Sequence, residues 1–221
     1  AWMAESGTSR DGLSNLTARR WADAAKHGRV RIDAVPGASE ISDAPMIAAP
    51  LSKLMMARPV DGAVAVLIAA ADIAKRASRA PVWITGVGTS ADRHAFASRS
   101  RGRLDACSAA TAMACKNAGW DKTRVDLAEV SGASAAAELM VLEATGVARP
   151  AEALEADAAI NLSGGTLPAD PIMASGLIRL AEASRQLAWP EEYGLRSPAR
   201  AIAHGSGGVG MQTHCVMTLE V

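Results

Sequence analysis

Short apolar segments alternate with helical repeats along most of this chain, and the alternation predicts a layered α/β protein. Segments of strand type occur at 61–68, 81–87, 125–130 and 158–162, and the first is apolar enough to be buried on both faces. Apolar residues at helical spacing predict helices at 69–77, 106–118, 134–145 and 172–187. Two further strands, 199–204 and 213–221, are joined by a glycine-rich hairpin at 205–210.

The first third of the chain has a different character. Leu13, Leu16, Trp21 and Ala24 recur at helical spacing, and this pattern predicts a helix that ends near Gly28. Residues 29–59 contain four prolines and no sustained periodicity, so they are predicted to form a long loop. Long loops in compact proteins are usually functional or lie over a partner.

Composition excludes several classes of protein. The net charge is zero and the pI is about 7.1, whereas a nucleic-acid surface needs a basic excess. No apolar run approaches the ~20 residues of a membrane span, and no basic-then-apolar leader opens the sequence. The three cysteines are odd in number and widely spaced, so they predict neither a disulfide framework nor a zinc site, and they favour a cytoplasmic location.

The segment 160–176 is the most informative part of the sequence. Gly164 and Gly165 let the backbone turn sharply and approach a ligand closely. Asp170 and Pro171 then have the form of a capped helix N-terminus. A loop between a buried strand and such a terminus is suited to chemistry or to anion binding, although an ordinary turn between two core elements has the same pattern.

Two other patterns are less specific. The glycines at 205, 207 and 210 match the dinucleotide fingerprint, but only 11 residues follow them and these predict a strand instead of a helix. The arginine-rich segment 88–103 is typical of a solvated surface loop and also of a loop that lines an anionic ligand.

Four motifs in order carry a resemblance to the C-terminal half of a thiolase, especially of the sterol-carrier-protein-linked and archaeal-type branches. They are V-D-L-A-E-V-S-G-A-S at 125–134, N-x-S-G-G at 161–165, Asp170-Pro171 with Gly176, and H-G-S-G-G at 204–208. The resemblance implies a thiolase-like layered αβαβα fold. Residues 1–78 would hold the loop-domain helix, the loop and the closing strand and helix of an N-terminal domain. Residues 79–221 would form the C-terminal domain.

The departures from the family pattern concern the chemistry. The family's nucleophilic cysteine belongs to the N-terminal half, and none of the three cysteines here stands at its position. The family's Gly-His-Pro loop reads Ala169-Asp170-Pro171, and its His-Asp-x-Phe loop reads 131–134, Ser-Gly-Ala-Ser. The last loop alone keeps its form, with His204 ahead of Ser206-Gly-Gly.

By resemblance, the candidate catalytic residues are His204, Asp170 and Ser131. An aspartate would raise the pKa of a neighbouring thiol, so Asp170 suits proton removal from a hydroxyl or a carbon acid better than activation of a cysteine. Ser131 can donate one hydrogen bond to an oxyanion. The alternatives are a helix cap for Asp170, an ordinary strand-end hydroxyl for Ser131 and a structural histidine for His204. The candidate substrate-binding residues are Ser163, Gly164, Gly165, Gly207 and Gly208.

Two functions follow from the resemblance. In the first, the chain is a thiolase-like subunit or fragment of lipid metabolism. It would act on acyl-CoA thioesters by acyl transfer or by carbon–carbon cleavage or condensation, with coenzyme A in the substrate and no further cofactor or metal. In the second, it is a non-catalytic subunit for assembly or acyl-CoA binding. Because a strand at 61–68 would expose apolar faces if alone, we expect a hetero-oligomer. A partner chain would supply the N-terminal half, and an OB-fold zinc-ribbon protein is a candidate partner.

Overall fold

The computed structural model describes residues 2–76, 81–100, 102–121, 124–155 and 159–221. Its α-helices are α1 (Trp2–Ser6), α2 (Arg10–His27), α3 (Ala38–Asp43), α4 (Ala71–Ala74), α5 (Asp105–Ala118), α6 (Ala135–Thr145), α7 (Pro150–Leu154) and α8 (Ser175–Ala188). Its strands are β1 (Met46–Ala48), β2 (Leu51–Ser52), β3 (Trp83–Ala91), β4 (Leu127–Val130), β5 (Arg200–Gly207) and β6 (Thr213–Glu220). Short 3₁₀ helices occur at Lys53–Met55, Phe96–Ser98 and Pro190–Tyr193.

A four-stranded mixed sheet in the order β3-β6-β5-β4 organises the chain from residue 83 onward. The predicted hairpin is confirmed, since β5 and β6 pair antiparallel, and β6 also pairs antiparallel with β3. Strand β4 runs parallel to β5. Beyond β4, the predicted strand at 158–162 is reduced to one parallel bridge between Ile160 and Ala128, and residue 158 lies outside the described residues.

Helices cover both faces of this sheet. On one face α5 packs against β3 and β6. The two backbones approach closely because Gly86 and Gly88 of β3 have no side chain. A Cβ atom on Gly86 would overlap Ala114 O, and one on Gly88 would overlap Ala110 O. On the other face α8 packs against β5, with Leu180 and Leu187 buried against Ala201 and Leu219. The α/β layered fold class predicted from the sequence is confirmed.

Helix α2 packs beside α6, and the two helices share an apolar cluster that also includes Ala128 and Val130 of β4. Ser9 caps α2 by accepting a hydrogen bond from Gly12 N at 3.0 Å. Arg20 of α2 forms a buried ion pair with Glu138 of α6, with Nε and Oε1 at 2.7 Å. Apolar residues of both helices, including Leu13 and Leu139, are fully buried in one cluster.

The helix predicted at 172–187 is present, but its start differs from the prediction. Its N-cap is Ala174, because the carbonyl of Pro171 accepts from both Ala174 N and Ser175 N and forms a separate turn. Asp170 therefore does not occupy the N-cap position. In contrast, the predicted ends of α5 and α6 are confirmed, since Gly119 and Gly146 adopt the left-handed conformation there.

The strand predicted at 61–68 is wrong. These residues have no regular secondary structure, and Leu67 is 95% exposed. A strand buried on both faces needs neighbouring strands, and within the described ranges no strand pairs with this segment. The following helix, predicted at 69–77, is reduced to α4, and residue 77 lies outside the described residues, as does the predicted domain boundary at 78/79. Across the described ranges, none of the helices has the length and apolarity required to cross a bilayer.

Candidate functional site

The loops that follow β4 and end β5 meet at one end of the sheet. Ser131 N, directly after β4, donates to the carbonyl of His204 at 3.3 Å. Ser206 N then donates to Ser131 Oγ at 3.2 Å, and the two serine hydroxyls lie 3.4 Å apart. Two of the predicted catalytic residues, Ser131 and His204, are therefore in adjacent strands and joined through the backbone.

The start of α8 lies against the same junction. A Cβ atom on Gly205 would lie 2.9 Å from Gly176 Cα, so the two glycines allow close contact between the α8 and β5 backbones. One residue before Gly176, Ser175 donates its hydroxyl to the carboxylate of Asp170. The backbone of Asp170 is also held, since its N–H donates to Arg58 O at 2.8 Å. The segments that carry Ser131, Asp170 and His204 therefore lie at the same end of the sheet, although the described hydrogen bonds of Asp170 do not include Ser131 or His204.

A cavity of about 600 Å³ opens at this end of the sheet, and we call it the strand-end cavity. It is lined by Thr89, Ser90, Ala91, Ile172, Met173, Gly176, Leu177, Gly205, Ser206, Gly207, Thr213, His214 and Cys215. Gly207 is the one predicted site residue in this lining; Ser131, Asp170, His204 and Gly208 are not part of it. The convergence of the turns therefore does not place all three candidate catalytic side chains in one cavity.

His204 lies beneath the cavity instead of facing it. Its side chain is on the α5 face of the sheet and the residue is 1% exposed. Its Nε2 atom lies 3.0 Å from Nδ1 of His214, which itself lines the strand-end cavity. Burial, followed by the proximity of His214, lowers the pKa of His204 to about 3. The ring is therefore neutral at about pH 7.

The sequence analysis did not single out His214. It stands opposite Ser206 in the antiparallel β5–β6 ladder, on the same face as His204. Burial lowers the pKa of His214 as well. The signal available in the sequence was its place in the final strand near the glycine-rich hairpin, but only the pairing register brings the two histidines together.

A second cavity, of about 350 Å³, lies between the end of α2, the segment 58–64 and α8. We call it the arginine cavity, because its lining includes four arginines, namely Arg29, Arg31, Arg58 and Arg179. Asp61 and Glu182 are its acidic lining residues, and burial raises the pKa of Glu182. Two predicted substrate-binding residues, Ser163 and Gly165, line this cavity. Sequence reasoning missed these arginines because they are dispersed over distant elements.

Ser163 is fixed by a buried polar network beneath the arginine cavity. Glu129 of β4 is fully buried and accepts from Ser163 N at 3.0 Å and from Ser163 Oγ at 2.7 Å. The same carboxylate accepts from Arg179 Nη1 and from Gln186 Nε2, each at 2.6 Å. Arg179 also donates to Ser163 Oγ at 2.7 Å. The network therefore connects β4, the 163–165 turn and α8.

The remaining predicted glycines have different surroundings. Gly164 has φ +95°, and a Cβ atom there would lie 2.5 Å from Ala24 Cβ, so this glycine serves the packing of the turn against α2. Gly165 has φ +64° and lies against Asn161. Gly208 has φ +75° and lies against Gln212 in the hairpin. Neither Gly164 nor Gly208 lines the arginine cavity or the strand-end cavity, so a ligand role for these two glycines stays a prediction.

Comparison with known protein families identifies the family of this chain. The family described as thiolase C-terminal domain-like matches residues 88–220, a range that covers the end of β3, all of β4, β5 and β6, and helices α5, α6 and α8. The chain belongs to this family and represents a C-terminal half of the thiolase superfamily. The strand-end cavity and the β4, β5 and α8 loops around it all lie within the matched range.

Individual relatives extend the match over the rest of the chain. The acetyl-CoA acetyltransferase of Methanothermobacter thermautotrophicus (strain Delta H) is 26% identical over 223 aligned residues, covering 94% of this chain and 58% of the relative. The fold is shared with the solved structure of the Ltp2-ChsH2(DUF35) aldolase, at TM-score 0.81 and 15% identity, over 100% of this chain and 60% of that chain.

A monomeric SCP2-thiolase-like protein type 1 from Mycobacterium smegmatis also has this fold, at TM-score 0.73 and 17% identity. That match covers 99% of this chain and 48% of the other. The chain therefore spans about half to three fifths of the length of these relatives.

Proposed function

We propose that this thiolase-family chain acts on acyl-CoA thioesters by cleaving or forming a carbon–carbon bond, together with a partner chain that completes the site. The arginine cavity is the observation that carries the proposal. Arg29, Arg31 and Arg58 offer guanidinium groups suited to the phosphates of coenzyme A. The apolar lining residues, such as Val60 and Ile178, suit its pantetheine arm. Its volume of about 350 Å³ is within the usual range of small-molecule sites.

Carbon–carbon chemistry is favoured over acyl transfer to a cysteine by the residues in the loops. Asp170 stands where a thiolase has a histidine, and a carboxylate does not stabilise a neighbouring thiolate. It is suited to remove the proton of a β-hydroxyl group from a hydroxyacyl thioester. The bond between the α and β carbons then breaks, a carbonyl forms at the β carbon, and the electron pair passes to the α carbon as a thioester enolate. The enolate finally takes up a proton.

Similarity to the Ltp2-ChsH2(DUF35) aldolase supports this choice of reaction, since that relative's name states an aldolase and a two-component assembly. We extend the second point to a partner chain, with a small OB-fold zinc-ribbon protein as the candidate. Exposed apolar side chains provide contact surface for it, notably Leu67, Ile68 and Ile73 near α4 and Ile172 and Met173 before α8. Light scattering during size-exclusion chromatography tests this point, because a stable, soluble monomer would count against it.

The reaction is tested by assaying the assembled complex for retro-aldol cleavage and for thiolysis. Asp170→Asn is expected to abolish cleavage, whereas Asp43→Asn, at the exposed end of α3, is the matched control. Binding of coenzyme A is measured separately by calorimetry with Arg58→Met and with the exposed control Arg196→Met. Full cleavage activity in Asp170→Asn would refute the assignment of the base, and unchanged affinity in Arg58→Met would refute the assignment of the cavity.

A non-catalytic role in assembly or acyl-CoA binding is the second candidate. It is favoured by the burial of Ser131 and His204, which line neither the strand-end cavity nor the arginine cavity. This role predicts that the chain binds coenzyme A through the arginine cavity, while Asp170→Asn and His204→Ala leave the activity of any complex unchanged. The same two measurements therefore separate the two candidates.

A further inference from the structure

A cysteine completes a buried three-residue cluster around the His204–His214 pair. Cys107 belongs to α5, His204 to β5 and His214 to β6, and each offers one ligand atom within 4.8 Å of the other two. All three residues are at most 2% exposed. The three residues meet because α5 packs directly onto β6.

When both imidazoles are neutral, every choice of tautomers leaves at least one buried ring nitrogen without a hydrogen-bond partner. The inner nitrogens, His204 Nε2 and His214 Nδ1, are 3.0 Å apart. The outer nitrogens, His204 Nδ1 and His214 Nε2, are buried and have no hydrogen-bond partner. If one inner nitrogen carries a hydrogen for the other, one outer nitrogen keeps a buried lone pair without a donor. If both outer nitrogens carry hydrogens, two lone pairs face each other at the centre.

A metal cation between the two inner nitrogens resolves the conflict at the centre of the pair. It accepts both inner lone pairs, while each ring keeps its hydrogen on the outer nitrogen. The ligand atom of Cys107 lies within 4.8 Å of those of both histidines, so the thiol can complete the set of donors.

We propose that Cys107, His204 and His214 form a buried site for a transition-metal ion of zinc-like chemistry. Two imidazole nitrogens on a tetrahedral zinc ion, each at 2.0–2.1 Å from the metal, lie about 3.3 Å apart, close to the observed separation. The Cys107 thiol supplies the anionic ligand by losing its proton to solvent when the metal binds. One tetrahedral position remains for a further ligand.

This site joins α5 to β5 and β6 and withdraws His204 from proton transfer. It is independent of the proposed function, which assigns proton removal to Asp170. It also differs from the sequence expectation of no metal, because positions 107, 204 and 214 form no recognisable spacing. The two histidines meet through the β5–β6 register, and Cys107 reaches them through the packing of α5 on the sheet.

Zinc and cobalt(II) titrations of the purified chain, after removal of metal by a chelator, test the site. We expect one zinc ion per chain by mass spectrometry of the metal content, and a thiolate-to-cobalt charge-transfer band in the absorption spectrum. Cys107→Ser should abolish the band and weaken zinc binding by at least about tenfold. The matched control is Cys215→Ser, whose side chain lies next along β6 on the opposite face and should leave both unchanged.

His214→Asn, with exposed His94→Asn as its control, provides a second variant in case Cys107→Ser does not fold. Absence of the charge-transfer band in the wild-type chain would overturn the proposal. The proposal would also be overturned if Cys107→Ser or His214→Asn bound zinc as tightly as the control variants do. None of these readouts depends on enzymatic activity, so they remain decisive if the proposed reaction is wrong.

Discussion

Removing the Arg179 guanidinium by the substitution Arg179→Met leaves the carboxylate of Glu129 buried without its counter-ion. Nη1 of Arg179 lies 2.6 Å from Glu129 Oε2, and the two side chains are 5% and 0% exposed. Breaking a buried ion pair from one side typically costs about 3–5 kcal/mol, because the remaining charge stays desolvated. Gln186 and Ser163 still donate to Glu129, so we expect the lower part of this range.

The measurement is the free energy of unfolding from urea titration at constant pH. Arg185→Met is the matched control on the same helix, because Arg185 is 44% exposed and lies 3.9 Å from Glu192. Its loss is expected to cost less than about 1 kcal/mol. The double variant Glu129→Gln, Arg179→Met removes both charges and should be more stable than the sum of its two single variants predicts.

The result bears on the site as well as on stability. Since Glu129 and Arg179 both hold Ser163, loss of the pair should also loosen the turn that lines the arginine cavity. A cost below about 1 kcal/mol for Arg179→Met, equal to that of the exposed control, would refute the view that this network organises the interior.

Three further predictions concern packing, pH and assembly. Gly88→Ala places a Cβ atom against Ala110 O and should destabilise the fold by about 1–3 kcal/mol in thermal unfolding, whereas Gly37→Ala, with open space around it, should not. Burial raises the pKa of Glu182, so the folded state takes up a proton before the unfolded state does as the pH falls. Urea unfolding from about pH 7 towards 4.5 should therefore show wild type gaining stability relative to Glu182→Gln; a constant difference would contradict this. Met173 is 99% exposed, so Met173→Glu should leave thermal stability within about 0.5 kcal/mol while weakening partner binding in calorimetry; unchanged binding would exclude this surface.

Local patterns in the sequence determined the regular elements of the sheet domain. The periods of apolar residues predicted α5, α6, α8 and the β5–β6 hairpin, and the glycines at 119 and 146 marked two helix ends correctly. These features depend on residues close together in the chain, where side-chain period and backbone conformation are directly coupled. The ordered motifs also indicated the thiolase family, which the domain match confirms.

Tertiary structure decided which side chains meet and which are accessible. The 61–68 segment has the composition of a buried strand, yet without a neighbouring strand in the described ranges it lies exposed. His204 has the sequence context of a catalytic loop, yet the strand register turns it into the α5 face beside His214 and Cys107. The arginine cavity likewise draws on α2, the 58–64 segment and α8. Such contacts depend on strand order and helix packing, which join residues far apart in sequence and leave no local period to read.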